Sequence, residues 1–334
     1  MLRGLSIALL ASVIAIAPLP VKAEDKTETF DNAKRVNLKD AVKFNWGIQG
    51  ALQDAGVTNR IGMGFFYPFY TKPNQTWFLD SRFDLNLGDY NISPEHLSSS
   101  INDVQVQGVS ISTSTRLGYR WINHKLNRGF SISAGYDSRP LIAGFPMDEW
   151  IKANTAHRGG PQTQFFQQLA LSAVTAGEKL KVSIYGLFPI GEYGIGSNKV
   201  AGIYGYYGAS PLMTTGIDFE YEVYPSVKVL SGLYYQSNES ELPLYVDPVD
   251  GYGFKAQITT KINDYSSLYV KMTRDLNFKT RYSAGFIVRF KKEKAETKNS
   301  GLLNFFNSSP GYRYVRVNCS EANPSREEDE QCGD

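Results

Sequence analysis

Cysteine and histidine are scarce in this sequence, and neither sign of charge is in excess: two Cys, three His, and 35 Lys and Arg against 33 Asp and Glu in 334 residues. Near-neutrality removes the basic face that nucleic-acid binding requires. A zinc site needs four ligands, and no histidine lies near Cys319 or Cys332. The sequence has no Gly-X-Ser-X-Gly elbow, no His-Glu-X-X-His and no phosphate-binding loop. Beyond the first two dozen residues it has no apolar run of the roughly 20 residues that a spanning helix needs. No enzyme activity and no cofactor are expected. The nearest approach to catalytic chemistry is an omptin-like grouping of Asp148, Glu149 and His157 in one link. A phospholipase-type serine and histidine pair would have to draw on His96, His124 or His157.

The N-terminus reads as a processing segment. Met1-Leu2-Arg3 supplies a positive start, Leu5 to Ala17 is apolar, and Val21-Lys22-Ala23 fits a small-residue cleavage site before Glu24. Residues 1–23 are therefore expected to be a signal peptide and residues 24–41 a polar periplasmic lead. Export places the cysteines in an oxidising compartment, so Cys319 and Cys332 are expected to close a short disulfide loop, with two free thiols as the alternative.

What the chain has in abundance is two-residue alternation. Twelve stretches show it: Val42–Leu52, Ile61–Tyr70, Thr76–Leu87, Ser110–Trp121, Phe130–Asp137, Phe165–Thr175, Leu180–Phe188, Thr215–Val223, Val227–Gln236, Tyr252–Ile262, Leu268–Arg274 and Tyr282–Phe290. In the third, Trp77, Leu79, Phe83 and Leu85 share one face and Asp80, Arg82, Asp84 and Asn86 the other. A soluble sandwich does not charge the second face of strand after strand; a barrel that is wet inside and oily outside does. In a bilayer, only helices and closed barrels satisfy every backbone amide. Pro68 lacks a ladder donor and is read as the end of the second strand. Short turns (Thr71–Gln75, Ala176–Lys179, Tyr224–Ser226, Asn263–Ser266) alternate with long links (88–109, 138–164, 189–214, 237–251), as in outer-membrane barrels. The expected fold is an all-β transmembrane antiparallel barrel of about 12 strands over residues 42–290, followed by a C-terminal tail, 291–334.

The inward set predicted to line the pore is Asp80, Arg82, Asp84, Arg116, Arg120, Asp137, Lys181, Asp218, Glu220, Lys255, Lys271 and Arg289. Sparse pairing among these charges would leave a conducting tube; dense pairing would make a plugged one. The tail contains Leu302-Leu303-Asn304-Phe305-Phe306, suited to pack in the barrel mouth. Its 44 residues reach about 145 Å at ~3.3 Å each, far beyond the roughly 25 Å apolar band, so length permits a threaded tail as well as a periplasmic one.

Two neighbouring strands carry a resemblance. Leu117-Gly118-Tyr119-Arg120, within Thr115 to Trp121, and Ala134-Gly135-Tyr136-Asp137 resemble the glycine-rich, arginine-ended and aspartate-ended strands of the inverse autotransporter β-domain of intimins and invasins. Phe66-Tyr67-Pro68-Phe69-Tyr70 followed by Trp77-Phe78-Leu79-Asp80, and the placement of Gly216-Ile217-Asp218, are similar to it as well. The resemblance implies a twelve-stranded barrel that anchors and exports a C-terminal passenger, with no catalytic residues. The chain departs from that pattern in lacking adhesive domains after Phe290 and a recognisable peptidoglycan-binding module before the barrel. The expected function is thus an outer-membrane anchor or translocator-like pore; a small-solute porin and a surface-loop binding protein on an inert barrel are the alternatives. Expected partners are outer-membrane lipid, the barrel assembly machinery and small solutes or ions, with localisation in the outer membrane after cleavage near Ala23. In detergent, unboiled protein should migrate faster on a dodecyl sulfate gel than boiled protein; an unshifted band with helical circular dichroism would contradict the barrel.

Overall fold

The computed structural model describes residues 36–87, 109–143, 162–195, 201–204, 207–238, 250–290 and 300–321. The signal segment, most of the lead, the greater part of the long links, the grouping of Asp148, Glu149 and His157, and also His96 and Cys332, lie outside the described residues.

The predicted stretches all form strands. They are β1 (Asn45–Ala51), β2 (Arg60–Lys72), β3 (Gln75–Asn86), β4 (Ser110–Asn123), β5 (Arg128–Ala143), β6 (Gln162–Ala176) and β7 (Leu180–Ile190). An excursion then holds two strands that the alternation did not predict, β8 (Ala201–Tyr204) and β9 (Tyr207–Pro211). The wall resumes with β10 (Met213–Tyr224), β11 (Val227–Ser237), β12 (Asp250–Lys261), β13 (Ser266–Asp275) and β14 (Lys279–Arg289). The twelve predicted strands close antiparallel, with β1 pairing β14 from Gly47↔Arg289 to Ala51↔Gly285. Closure leaves no edge whose amides face lipid. In the excursion, β9 pairs with β15 (Val317–Glu321) from the tail, and the two form a separate three-stranded sheet with β8.

Two sequence expectations need correction. Pro68 does not end its strand: β2 runs on to Lys72, and the register steps from Pro68↔Phe78 to Tyr70↔Trp77, leaving Phe69 as an extra residue. A bulge absorbs the missing donor without stopping the ladder. Val42, the expected start of the first stretch, lies outside β1, which begins at Asn45. It caps the short helix Leu38–Ala41 and is buried beneath it.

Burial is inverted relative to a soluble sheet. Met63, Phe83, Leu117, Ile132, Leu169, Phe219, Leu233, Ile258 and Val270 are exposed around the whole wall, whereas Asp80, Asp84, Arg116, Asp137 and Asp218 are buried. At the short-turn end the outer rings form a row over β3, β4 and β5: Trp77 and Tyr119 are tilted together at 5.0 Å, and Tyr119–Trp121 and Trp121–Phe130 stack at 5.4 Å each. Trp46 and Phe290 stack at 4.0 Å where the first and last strands meet. Amphipathic rings in such a row suit a membrane–water boundary. Leu117→Arg, on this outer face, should destabilise the barrel in lipid vesicles by about 2–4 kcal/mol in urea unfolding; an unchanged midpoint would mean that this face does not meet lipid.

Candidate functional site

The barrel interior is occupied by the chain's own C-terminal segment. Helix Ser300–Asn307 sits at the short-turn end, where Leu302, Phe305 and Phe306 pack with Leu38, Val42, Phe66, Phe78 and Ile122. Its last carbonyls point at Arg120, whose guanidinium donates to the oxygens of Phe305 (2.8 Å), Phe306 (2.9 Å) and Ser308 (2.7 Å). The same guanidinium lies over the rings of Phe78 (4.4 Å), Phe66 and Phe305 (5.1 Å each). A cation at a helix C-terminus satisfies carbonyls that have no intrahelical partner and complements the helix dipole. Here it does so inside a ring of aromatic faces.

From Ser308 the chain continues toward the long-link end, and each tail residue from Tyr312 to Arg316 finds a wall partner. The Tyr312 carbonyl accepts from Arg116 at 2.9 Å. Its ring stacks on Tyr185 at 3.7 Å, and its hydroxyl donates to Asp218. Tyr312 adopts φ +59°, a left-handed conformation held by this stacking on the β7–β10 wall. Arg313 pairs with Asp80 and donates to Ser114 at 3.0 Å. The Tyr314 hydroxyl accepts from Arg82 (3.0 Å) and Gln49 (3.2 Å), and Arg60 lies 3.7 Å from its ring centroid. Arg139 donates to the carbonyls of Val315 (2.7 Å) and Gly56. Arg316 lies over Tyr234, and its carbonyl accepts from the Leu212 amide at 2.9 Å. The segment then pairs with β9 as β15, in register from Val317↔Pro211 to Glu321↔Tyr207, at the long-link end. Cys319 lies in β15.

The remaining predicted residues form wall-to-wall pairs. Arg116 and Asp137 make a bidentate contact, 2.7 Å on each oxygen, and Gln168 donates to the same carboxylate at 2.7 Å. The Arg116 side chain lies across Gly135, where a Cβ would meet its Cδ at 2.7 Å. Lys255 reaches Asp218 at 2.7 Å across Gly232, which stands in register between them. Lys181 pairs with Glu220 at 2.8 Å, Asp84 accepts from Gln49 at 3.0 Å, and Lys271 pairs with Asp54. Arg289 lines the remaining lumen, a cavity of about 370 Å³ beside the tail.

Asp54 lies in the β1–β2 link. Burial acts to raise its pKa, but Lys271 and Arg316 outweigh that and hold the carboxyl well below the usual carboxylate range. Its stabilising charge is therefore complete above the unfolded value of about 4 and is lost only in strong acid, as pH falls through the folded value. Protease protection of the tail exit should be the same at pH 4.5 as at pH 7; loss of protection at pH 4.5 would contradict this.

Sequence reasoning missed Arg60, Arg139, Arg313, Tyr312, Tyr314 and Arg316. Arg60 and Arg139 lie just outside the predicted strand limits. The alternation Tyr312-Arg313-Tyr314-Val315-Arg316-Val317 was a legible strand-like signal for the tail. Of the three histidines only His124 is described; its Nε2 lies 2.9 Å from Asn74 Oδ1 in a short turn.

No protein-family model matches the chain, and no curated protein matches it. Among solved structures it is similar to one reported as "Unveiling the Mechanism Behind the in-meso Crystallization of Membrane Proteins", with TM-score 0.54 and 11% identity over 83% of this chain and 99% of that one. An outer membrane channel from Pseudomonas putida F1 matches with TM-score 0.46 and 12% identity, over 75% and 96% of the two chains. The β-domain of a Bordetella autotransporter matches with TM-score 0.37 and 9% identity, over 74% and 98%. The fold is that of a transmembrane β-barrel of the outer-membrane type.

Replacing Arg120 with alanine strips the charged partner from three carbonyls at once. It should lower stability by about 3 kcal/mol or more, read as the unfolding midpoint in detergent. The helix should also become accessible to protease in the folded barrel. Wild-type midpoint and protection would show that the helix is held by packing alone.

Proposed function

We propose that this protein is an outer-membrane anchor of the translocator kind, which holds its own C-terminal segment through the barrel and presents the chain beyond β15 at the long-link face. The observation that carries this reading is the unbroken series of tail contacts from Arg120 at the short-turn end, through Asp80 and Arg82 at mid-wall, to β9 at the opposite end. A tail merely tucked into the periplasmic mouth needs no partner beyond Arg120. The similarity of the Leu117–Arg120 and Ala134–Asp137 strands to the inverse autotransporter β-domain points the same way. In this reading the twelve predicted pore-lining charges hold the tail and the lumen rather than conduct.

The short-turn end faces the periplasm, the segment up to Ala23 is removed on export, and folding in the outer membrane requires the barrel assembly machinery. A general small-solute porin fits less well, because tail backbone and arginine pairs fill the tube through which a solute would pass. A surface-loop binding role is compatible with the same anchor. Nothing in the proposed role requires catalysis, and the Cys319–Cys332 loop belongs to the presented end.

In planar bilayers the full-length protein should be sealed, and a variant lacking residues 291–334 that still shows the heat-dependent gel shift should conduct. Open, ohmic channels from the intact chain would overturn the anchor reading in favour of a porin. Protease added to intact cells should clip beyond β15; cleavage only after permeabilisation would reverse the assigned exit.

A further inference from the structure

The lumen beside the tail carries an imbalance of charge that the anchoring role does not use. Nine basic side chains and three acidic ones line the cavity of about 370 Å³. The three acids, Glu220, Asp218 and Asp54, are each matched to a lysine: Lys181, Lys255 and Lys271. Those pairs cancel, and the charge in excess is arginine. Arg313 is neutralised by Asp80, and Arg120 is committed to helix carbonyls. Arg60, Arg82 and Arg316 have, among the described residues, no carboxylate within ion-pair distance, although Asp84 lies in electrostatic range of Arg60 and Arg82, and Asp54 and Asp275 in range of Arg316. Arg60 lies over the Tyr314 ring, Arg82 donates to the Tyr314 hydroxyl, and Arg316 lies over Tyr234. Nη1 of Arg316 is buried with no hydrogen-bond partner among the described residues. Both Arg60 and Arg316 lie in electrostatic range of Lys271, which places them around one region of the cavity.

Buried guanidiniums that no carboxylate contacts directly keep donors free, and an anion that joins them offsets part of the cost of burial. The planar fork of arginine matches phosphate and carboxylate oxygens in pairs. A cavity of this size falls in the range of small-molecule sites. The Lys181–Glu220 pair on its wall is partly exposed, so solvent reaches the lumen at that end. We propose that the residual lumen is a binding site for a small multivalent anion of the phosphate or carboxylate class, held by Arg60, Arg82 and Arg316. The site is independent of whether the tail exports anything; it requires only that the tail bring Arg316 and Tyr314 into the barrel.

The test is calorimetric titration of the full-length folded protein in zwitterionic detergent with inorganic pyrophosphate and, separately, citrate. One saturable event per barrel is expected for at least one of them, weakening as chloride is raised. Arg82→Gln and Arg60→Gln should each weaken it at least about tenfold, while Arg128→Gln, at the short-turn end and outside the cavity lining, should leave it unchanged. Each variant is first checked for the heat-dependent gel shift. Should neither glutamine variant fold, protection decides the matter on the wild type: a bound anion should raise the temperature of the gel shift. Absence of saturable heat and of any thermal shift up to millimolar anion overturns the proposal. Binding that survives both glutamine variants places the anion elsewhere and overturns it equally.

Discussion

A charge taken out of water must be given a partner. In this barrel the inner wall holds more charged side chains than it can pair by itself. Arg120 is the clearest case. It is buried, no carboxylate among the described residues lies within ion-pair distance of it, and it projects among Phe66 and Phe78. Left alone, such a group costs several kcal/mol. The C-terminal helix and the residue after it resolve this with three carbonyls, those of Phe305, Phe306 and Ser308. Asp80 is in the same position and receives Arg313. Wall and tail are thus two halves of one electrostatic arrangement. The interior remains dense because each half completes the other.

The outer surface follows from the opposite constraint. Lipid supplies no hydrogen bonds, so the wall closes on itself and turns its apolar residues outward. The seam between β1 and β14 is the shortest ladder in the barrel, and the Trp46–Phe290 stack covers it. Glycines do a different job on the inside. Gly135 and Gly232 leave room for Arg116 and Lys255 to lie flat along the wall. That flat arrangement keeps space in the lumen for a backbone and its side chains.

Strands were the most legible feature of the sequence, because a period of two repeated twelve times is hard to produce otherwise, and the inward and outward faces followed from it. Pairing was not legible. Asp80 and Arg116 stand directly opposite each other in register, which invites a salt bridge between them. Arg116 instead turns across Gly135 to Asp137, and Asp80 waits for a residue far along the chain. Strand ends slipped where the tail intervenes: Val42 belongs to the packing around Phe305 and Phe306, not to β1. The strands β8, β9 and β15 were missed because they are short and because β9 and β15 pair across a wide separation in sequence.

The most direct measurement of this account is a double-mutant cycle on Asp80 and Arg313, using Asp80→Asn, Arg313→Gln and the pair, with unfolding free energy as the readout. Contact across wall and tail predicts a coupling of about 2 kcal/mol or more, well outside the scatter for independent sites. Simple additivity of the two single changes would mean that the tail does not run through the barrel against β3, and the account would fail.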